Sequence, residues 1–354
     1  MSPAAGSASA SAKRPPSRTG HNRVAHGDAA PHGDGIAPLH TLHIVTGKGG
    51  TGKTTIAGAL ATALATEGRR VLLCEVEGRS GISELFETSP LVGAEERRLC
   101  RTPAGGEVFG LSIDAEDALL EYLDTFYHLG LAGKALDKFG VVDFATSIAP
   151  GLRDVLLTGK VYEAVRRAQA NRPNAYHAVV LDAPPTGRIA QFLNVHEAVA
   201  GLAKVGPIRG QADSIMRVLR SATTVVHIVT LLEDMPVTET EEAIADLRPT
   251  RIKVGTVIAN KVTSTPLDTA QLQLAAAGEH PFDVPSLSAR QNQSLAEEFA
   301  TEAARILQER ARHATLATFG VPLAEIDFDP AGIDETALFG IADQLAKQRS
   351  EEVE

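Results

Sequence analysis

Cysteine is nearly absent from this chain. Cys74 and Cys100 are the only two, and their spacing matches no metal-ligand set or disulfide framework. The expectation is therefore no zinc, no iron–sulfur cluster, and a reducing cytoplasm as the setting. Methionine is scarce as well. Apart from Met1 there are only Met216 and Met235, which leaves little of the adaptable thioether surface that a promiscuous apolar groove uses. No run approaches the ~18 apolar residues needed to cross a bilayer. Positive charge is also in short supply. The formal net charge is −10, so non-specific nucleic-acid binding, which rests on many Lys/Arg–phosphate contacts, is not expected. Residues 1–38 lack an apolar h-region and are rich in Ser, Ala, Pro and Gly. They read as a disordered low-complexity tail rather than a signal peptide, and their scattered histidines have no ligand spacing.

Against these absences stands one dense stretch, TLHIVTGKGGTGKTTIAGAL from Thr41 to Leu60. Its β-branched start reads as a buried strand and its Ala/Leu-rich end as a helix. Gly47–Thr54 between them fits G-x-x-x-x-G-K-[ST], the phosphate-binding loop. Gly47, Gly49, Gly50 and Gly52 let the backbone wrap so that its N–H groups, with those of Thr51 and Thr55, converge on nucleotide phosphates. The N-terminus of the following helix adds donors and a partial positive charge. Lys53 is the residue that neutralises the β- and γ-phosphates, and the Thr54 hydroxyl completes a Mg²⁺ shell. Lys48 is a second lysine in the loop, and an ordinary phosphate loop has no need of it.

Further strands are expected at Arg70–Val76, Val108–Ile113, Ala178–Asp182, Thr224–Leu231 and Lys253–Ala259, with helices between them. That alternation predicts an α/β P-loop NTPase, with a mostly parallel sheet covered by helices on both faces. A helical insertion is expected at about 114–172. Its Tyr122, Phe126, Tyr127, Leu129 and Leu131 fall in one amphipathic stretch. Glu75 and Glu77 end the second strand on one face, and Glu77, nearer the end, is the better candidate to position an attacking water. Asp182 ends another strand, where a carboxylate can hold Mg²⁺ through a water. The turn Ala183–Arg188 after it can hinge when a phosphate leaves. Asn260 closes a strand where its amide suits an adenine edge. Thr238-x-x-Glu241 has the form of a capping box, and Ser288 opens a long helix. The ATPase domain is expected over 39–346, with an acidic tail at 347–354.

With these pieces in order, the chain resembles the ArsA-type (arsenite-pump, anion-transporting and tail-anchored-protein-targeting) ATPase family over roughly 40–345. Gly47–Thr55 matches the lysine-bearing loop of that family. Glu77 with Ile82–Phe86 matches the first switch, Asp182–Gly187 the second, Asn260 the adenine asparagine, and Pro322-Leu323 a late Pro-Leu segment. The resemblance implies MgATP as cofactor and a dimer, homodimeric or with a paralogous ATPase. It also implies that Lys48 reaches across the interface to the partner's nucleotide. Two departures matter. There is one ATPase half without a metalloid-binding cysteine cluster. PFDVPSLSARQNQ, before the Ser288 helix, also lacks the zinc-binding cysteine pair of the targeting branch. The chain looks most like an actinobacterial single-half branch with Ala-Pro-Pro-Thr-Gly-Arg at the second switch. The expected function is hydrolysis that switches a dimer between open and closed states for an unidentified cargo, a client protein or a peripheral membrane partner. A partition- or septum-placement-type ATPase, or a phosphoryl-transfer enzyme acting on a small metabolite, stays open at this point.

Overall fold

Five of the strands are β-branched or aliphatic along nearly their whole length, which means burial on both faces. The structure, a computed structural model, describes residues 41–66, 68–76, 80–93, 95–127, 150–169, 175–200, 207–279 and 284–351. In chain order the elements begin with β1 (Leu42–Gly47), α1 (Lys53–Leu64), β2 (Arg70–Val76) and α2 (Gly81–Leu85). Next come β3 (Arg97–Arg101), β4 (Glu107–Ile113), α3 (Ala115–Tyr127) and α4 (Pro150–Gln169). Then follow β5 (Ala178–Asp182), α5 (Thr186–Leu193), α6 (Val195–Ala200), α7 (Pro207–Leu219), β6 (Thr224–Thr230) and α8 (Asp234–Leu247). The chain continues with β7 (Val254–Val262), α9 (Thr269–Ala276), α10 (Ala289–Ala317), β8 (Leu323–Asp327) and α11 (Glu335–Glu351).

The eight strands form one sheet in the order β3-β4-β2-β5-β1-β6-β7-β8. Every pair is parallel except β3 with β4. Strand alternation sends Leu42, Ile44, Leu72, Val179, Leu181, Val226 and Ile228 into one apolar layer, where residues of α4, α5, α7 and α8 meet them. Val45, Val71, Leu73, Val180 and Val229 point the other way, against α1 and α11. The parallel α/β fold with both faces covered is the one expected. Because β1 lies in the middle, between β5 and β6, its carboxyl end is where the sheet places a ligand.

Several local expectations are corrected. Thr238 does not open a helix, because α8 starts at Asp234 after the N-cap Glu233, with no side-chain cap bond. Pro236 fits this first turn, where a missing N–H costs nothing, and the Thr238 hydroxyl donates back to Asp234 O at 3.0 Å. The stretch read as a tail from 347 is helical as far as Glu351. That helix serves the sheet edge. Gln348 accepts from Glu325 N at 2.9 Å and donates to Glu325 O at 2.7 Å, and Gln344 accepts from Asp327 N at 3.3 Å. Two glutamines thus take the place of a further strand beside β8 and cover backbone groups that an edge leaves open. The charged edge strand β3 is an addition to the expected set. α10 opens as anticipated at Ser288, in a capping box with Gln291. The expected tail 1–38 and Leu129 and Leu131 of the amphipathic stretch lie outside the described residues, as do the side chains of Tyr122, Phe126 and Tyr127.

Candidate active site

β1 ends on Gly47, and the chain must leave the sheet there without a side chain. A Cβ on Gly47 would lie 2.2 Å from Val229 O of the neighbouring β6. The loop then closes on itself, with the Thr51 hydroxyl donating to Lys48 O at 2.8 Å. Gly52, the N-cap of α1, has φ of 89°, left-handed backbone that favours glycine. A Cβ on it would meet Asn260 Nδ2 at 2.4 Å. That approach is close because Asn260 donates from Nδ2 to Thr51 O at 2.8 Å, with both residues buried. A bulge aims the amide. β7 runs past Asn260 to Val262, with its register to β8 shifted between them and Lys261 in left-handed conformation, φ 59°. Gly47, Gly49, Gly50, Thr51, Gly52, Lys53, Thr54, Thr55 and Asn260 are thus brought together at one end of β1.

Lys53 is the first residue of α1 and is only 8% exposed. Thr54 follows, and its hydroxyl donates to Asp182 Oδ2 at 2.6 Å. Asp182 ends β5 and is paired in register with Val45 of β1 and Glu75 of β2. The hydroxyl and the carboxylate expected at a Mg²⁺ site therefore meet, and hard oxygen donors are the set Mg²⁺ uses. Among the described residues, no group of three or more His, Cys, Asp or Glu is arranged to hold a metal on its own. A metal here would need phosphate and water oxygens to complete its shell, as a nucleotide-bound ion does. Both thiols are pushed above the ordinary thiol range. Burial is the main cause for each, and Cys100 is pushed up to about 11. Neither side chain readily forms the thiolate that a soft metal needs.

The segment that the resemblance marks as the second switch is tied to β1 by its backbone. Ala183 N donates to Val45 O at 2.9 Å and the Thr46 hydroxyl to Pro184 O at 2.7 Å. α5 then begins at Thr186. The first switch is described only in part, since Glu77 lies outside the described residues. Glu75, two residues before it, is buried, and its carboxylate accepts the Ile82 N–H of α2 at 3.1 Å. Glu75 is thus a structural anchor of the start of α2, and only its position beside Glu77 hinted at it. Lys48 does not join Lys53 in the cradle. It sits at the rim with its side chain 32% exposed and its ammonium 2.7 Å from Glu239 on α8. Motif reading had passed over Glu239.

Two clefts lie elsewhere on the same domain, neither lined by a residue of the phosphate loop. One of about 330 Å³ follows Asn260 at the ends of β7 and β8, lined among others by Thr263, Arg310, Glu325 and Asp327. The larger, about 700 Å³, lies along α5 and includes Asp154, Gly187, Gln191 and Asp246, but no loop residue. The phosphate site itself is marked by its backbone geometry more than by enclosed volume.

Comparison with known proteins agrees with this arrangement. The family model described as anion-transporting ATPase matches residues 40–223. The ATPase BagA of Mycobacterium tuberculosis is 46% identical over 318 residues, covering 87% of this chain and 93% of that protein. A protein of Aquifex aeolicus that carries the name of an arsenical pump-driving ATPase is 31% identical over 150 residues, 42% of this chain and 46% of its own. The ATPase GET3 of Rhodotorula glutinis is 27% identical over 205 residues, 53% and 55% of the two chains. A sheet that ends in this loop, a Thr54–Asp182 pair beside it and matches of this extent have one explanation: the chain belongs to the anion-transporting (ArsA-type) ATPase family and is an ATP hydrolase.

Proposed function

We propose that the protein is a Mg²⁺-dependent ATPase of two subunits, in which ATP held between them favours a closed dimer and loss of the γ-phosphate reopens it. The observation that carries this reading is the separation of the two loop lysines. Lys53 is buried at the base of the cradle, whereas Lys48 points to the rim, where a facing subunit's nucleotide can be reached. When bound, Mg²⁺ supplies charge against the β- and γ-phosphate oxygens, and Thr54 would hold it directly and Asp182 through a water.

The chain's own residues account for the rest of the chemistry. Backbone N–H groups from Gly49 to Thr55 and the Lys53 ammonium bind the phosphates and offset charge that grows in the transition state. Glu77 positions the attacking water. Its side chain is one methylene longer than the aspartate that the family resemblance implies. A displacement of ~1 Å can cost ~10²-fold, so basal hydrolysis is slow and waits on a partner. The rest of the Asn260 amide, with the cleft beyond it, would receive the base. An isologous dimer in which each Lys48 serves the other subunit's site makes closure depend on both nucleotides.

The family match favours this reading over the positioning ATPases and metabolite kinases that the loop alone leaves open. We place the ATPase domain from 39 to the end of α11 at Glu351, with a homodimer or a paralogous partner, in the cytoplasm. Among the described residues no helix is long and apolar enough to cross a membrane. The cargo, a client protein or a peripheral membrane partner, is to be found by capture with an ATP-trapped form. The test of the dimer is Lys48→Ala. ATP affinity should stay within a few-fold, because Lys53 and the backbone cradle are intact, while dimer formation with a slowly hydrolysed ATP analogue is lost in sedimentation velocity. A variant that dimerises and turns over like the wild type would make this an ordinary phosphate-loop enzyme.

A further inference from the structure

Glu239 touches two residues that the ATPase cycle uses, and no motif assigns it a part. Its Oε1 lies 2.7 Å from Lys48 Nζ. Its Oε2 is within 3.3 Å of the Thr186 hydroxyl, which donates to it. Thr186 is the first residue of α5, immediately after the second switch. The backbone of Glu239 is fixed by its neighbours on α8, since Val237, Thr240, Ala243 and Ile244 are all buried in the core. One anchored carboxylate therefore joins the outer loop lysine to the switch.

We propose that Glu239 is a positioning residue of the ATPase. In the subunit without nucleotide it keeps Lys48 on its own side of the interface, and it releases Lys48 when the second switch carries Thr186 away. This rests on the dimer reading above.

Three features support it. Each carboxylate oxygen has one partner, so a shift of Thr186 changes the seat of Lys48 as well. The turn before Thr186 is hydrogen-bonded to β1 through Thr46 and Val45. That backbone continues directly into the phosphate loop, so a γ-phosphate has a short route to Thr186. Finally, both side chains of the pair are about one-third exposed, 32% and 29%. A pair so exposed shifts an equilibrium by only a small factor, roughly two- to fivefold. Charge-assisted contact with a phosphate is stronger, so the contact sets a threshold for closure and does not prevent it.

The test uses the full chain in four forms: wild type, Glu239→Gln, Lys48→Ala and the double variant. The glutamine keeps the shape and an acceptor for Thr186 but removes the charge that holds Lys48. Sedimentation velocity with a slowly hydrolysed MgATP analogue gives the analogue concentration for half-maximal dimer, and circular dichroism confirms that all four are folded. Glu239→Gln should close at a roughly two- to fivefold lower analogue concentration, and the double variant should behave as Lys48→Ala does. The proposal is overturned if Glu239→Gln closes at the wild-type concentration or above it, or if its shift persists without Lys48. If Lys48→Ala closes like wild type, the dimer reading fails too, so the two failures are told apart.

Discussion

The base and the rim of the phosphate loop carry the same type of residue in opposite surroundings. At the base, Lys53 is buried, Thr54 is bonded to Asp182, and Asn260 clamps Thr51 from across the sheet. The Asn260–Thr51 bond there is buried and the Thr54–Asp182 bond is part-buried. At the rim, Lys48 is partly exposed and pairs with a carboxylate of comparable exposure. Low dielectric strengthens contacts at the base, whereas solvent weakens those at the rim. Buried contacts suit a base that binds, and a half-exposed contact at the rim can be exchanged for another. On the proposed reading, the difference separates binding from switching within one loop.

Substitutions can break that contrast. The largest effect is expected at the base. Lys53→Ala removes the buried charge opposite the phosphates, so ATP binding should be lost in calorimetry and turnover should fall by at least about 10²–10³-fold. Glu77→Gln should split the two roles. ATP affinity is expected to stay near wild type while single-turnover hydrolysis drops about 10²-fold, in the range of general-base and water-positioning losses. Undiminished turnover would mean that another group positions the water.

Asn260→Ala is expected to be milder. It leaves the buried Thr51 carbonyl without its amide donor, a cost of about 1–3 kcal/mol. Thermal unfolding should shift down and the KM for ATP should rise several-fold, with kcat little changed. If kcat falls as far as in Glu77→Gln, the base clamp has a part in chemistry that this account denies it.

The base was legible in the sequence, and at the rim Lys48 was while its partner Glu239 was not, for a physical reason. Glycine spacing, Lys53 and Thr54 are dictated locally by phosphate geometry, and Asp182 follows from its place at the end of an aliphatic strand. β1, β2, β5, β6 and β7 could be read because burial on both faces demands β-branched runs. Asn260 was placed by its strand, but its bond to Thr51 spans 209 positions. The Glu239 contact likewise joins α8 to the loop through the fold, and a glutamate on a helix looks like any solvated one. β3 reads as charged sequence, RRLCR, because an edge strand need not be apolar. Gln344 and Gln348 act on β8 only after α11 has folded across it. The mistaken capping box at Thr238 matched a pattern that a start at Asp234, one turn earlier, overrode.

The central claim is that Lys48 works in the other subunit, and complementation tests it most directly. Glu77→Gln and Lys48→Ala proteins are each expected to be nearly inactive alone. Mixed, they can form a dimer with ATP in both subunits, in which the Lys48→Ala subunit keeps its own Glu77 and receives the intact Lys48 of the Glu77→Gln subunit. ATPase activity should then reappear on mixing, to at most about half the wild-type value per dimer, given one competent site in two. If the mixture stays at the sum of its parts while wild-type subunits in the same assay form dimers with ATP, Lys48 does not act across the interface.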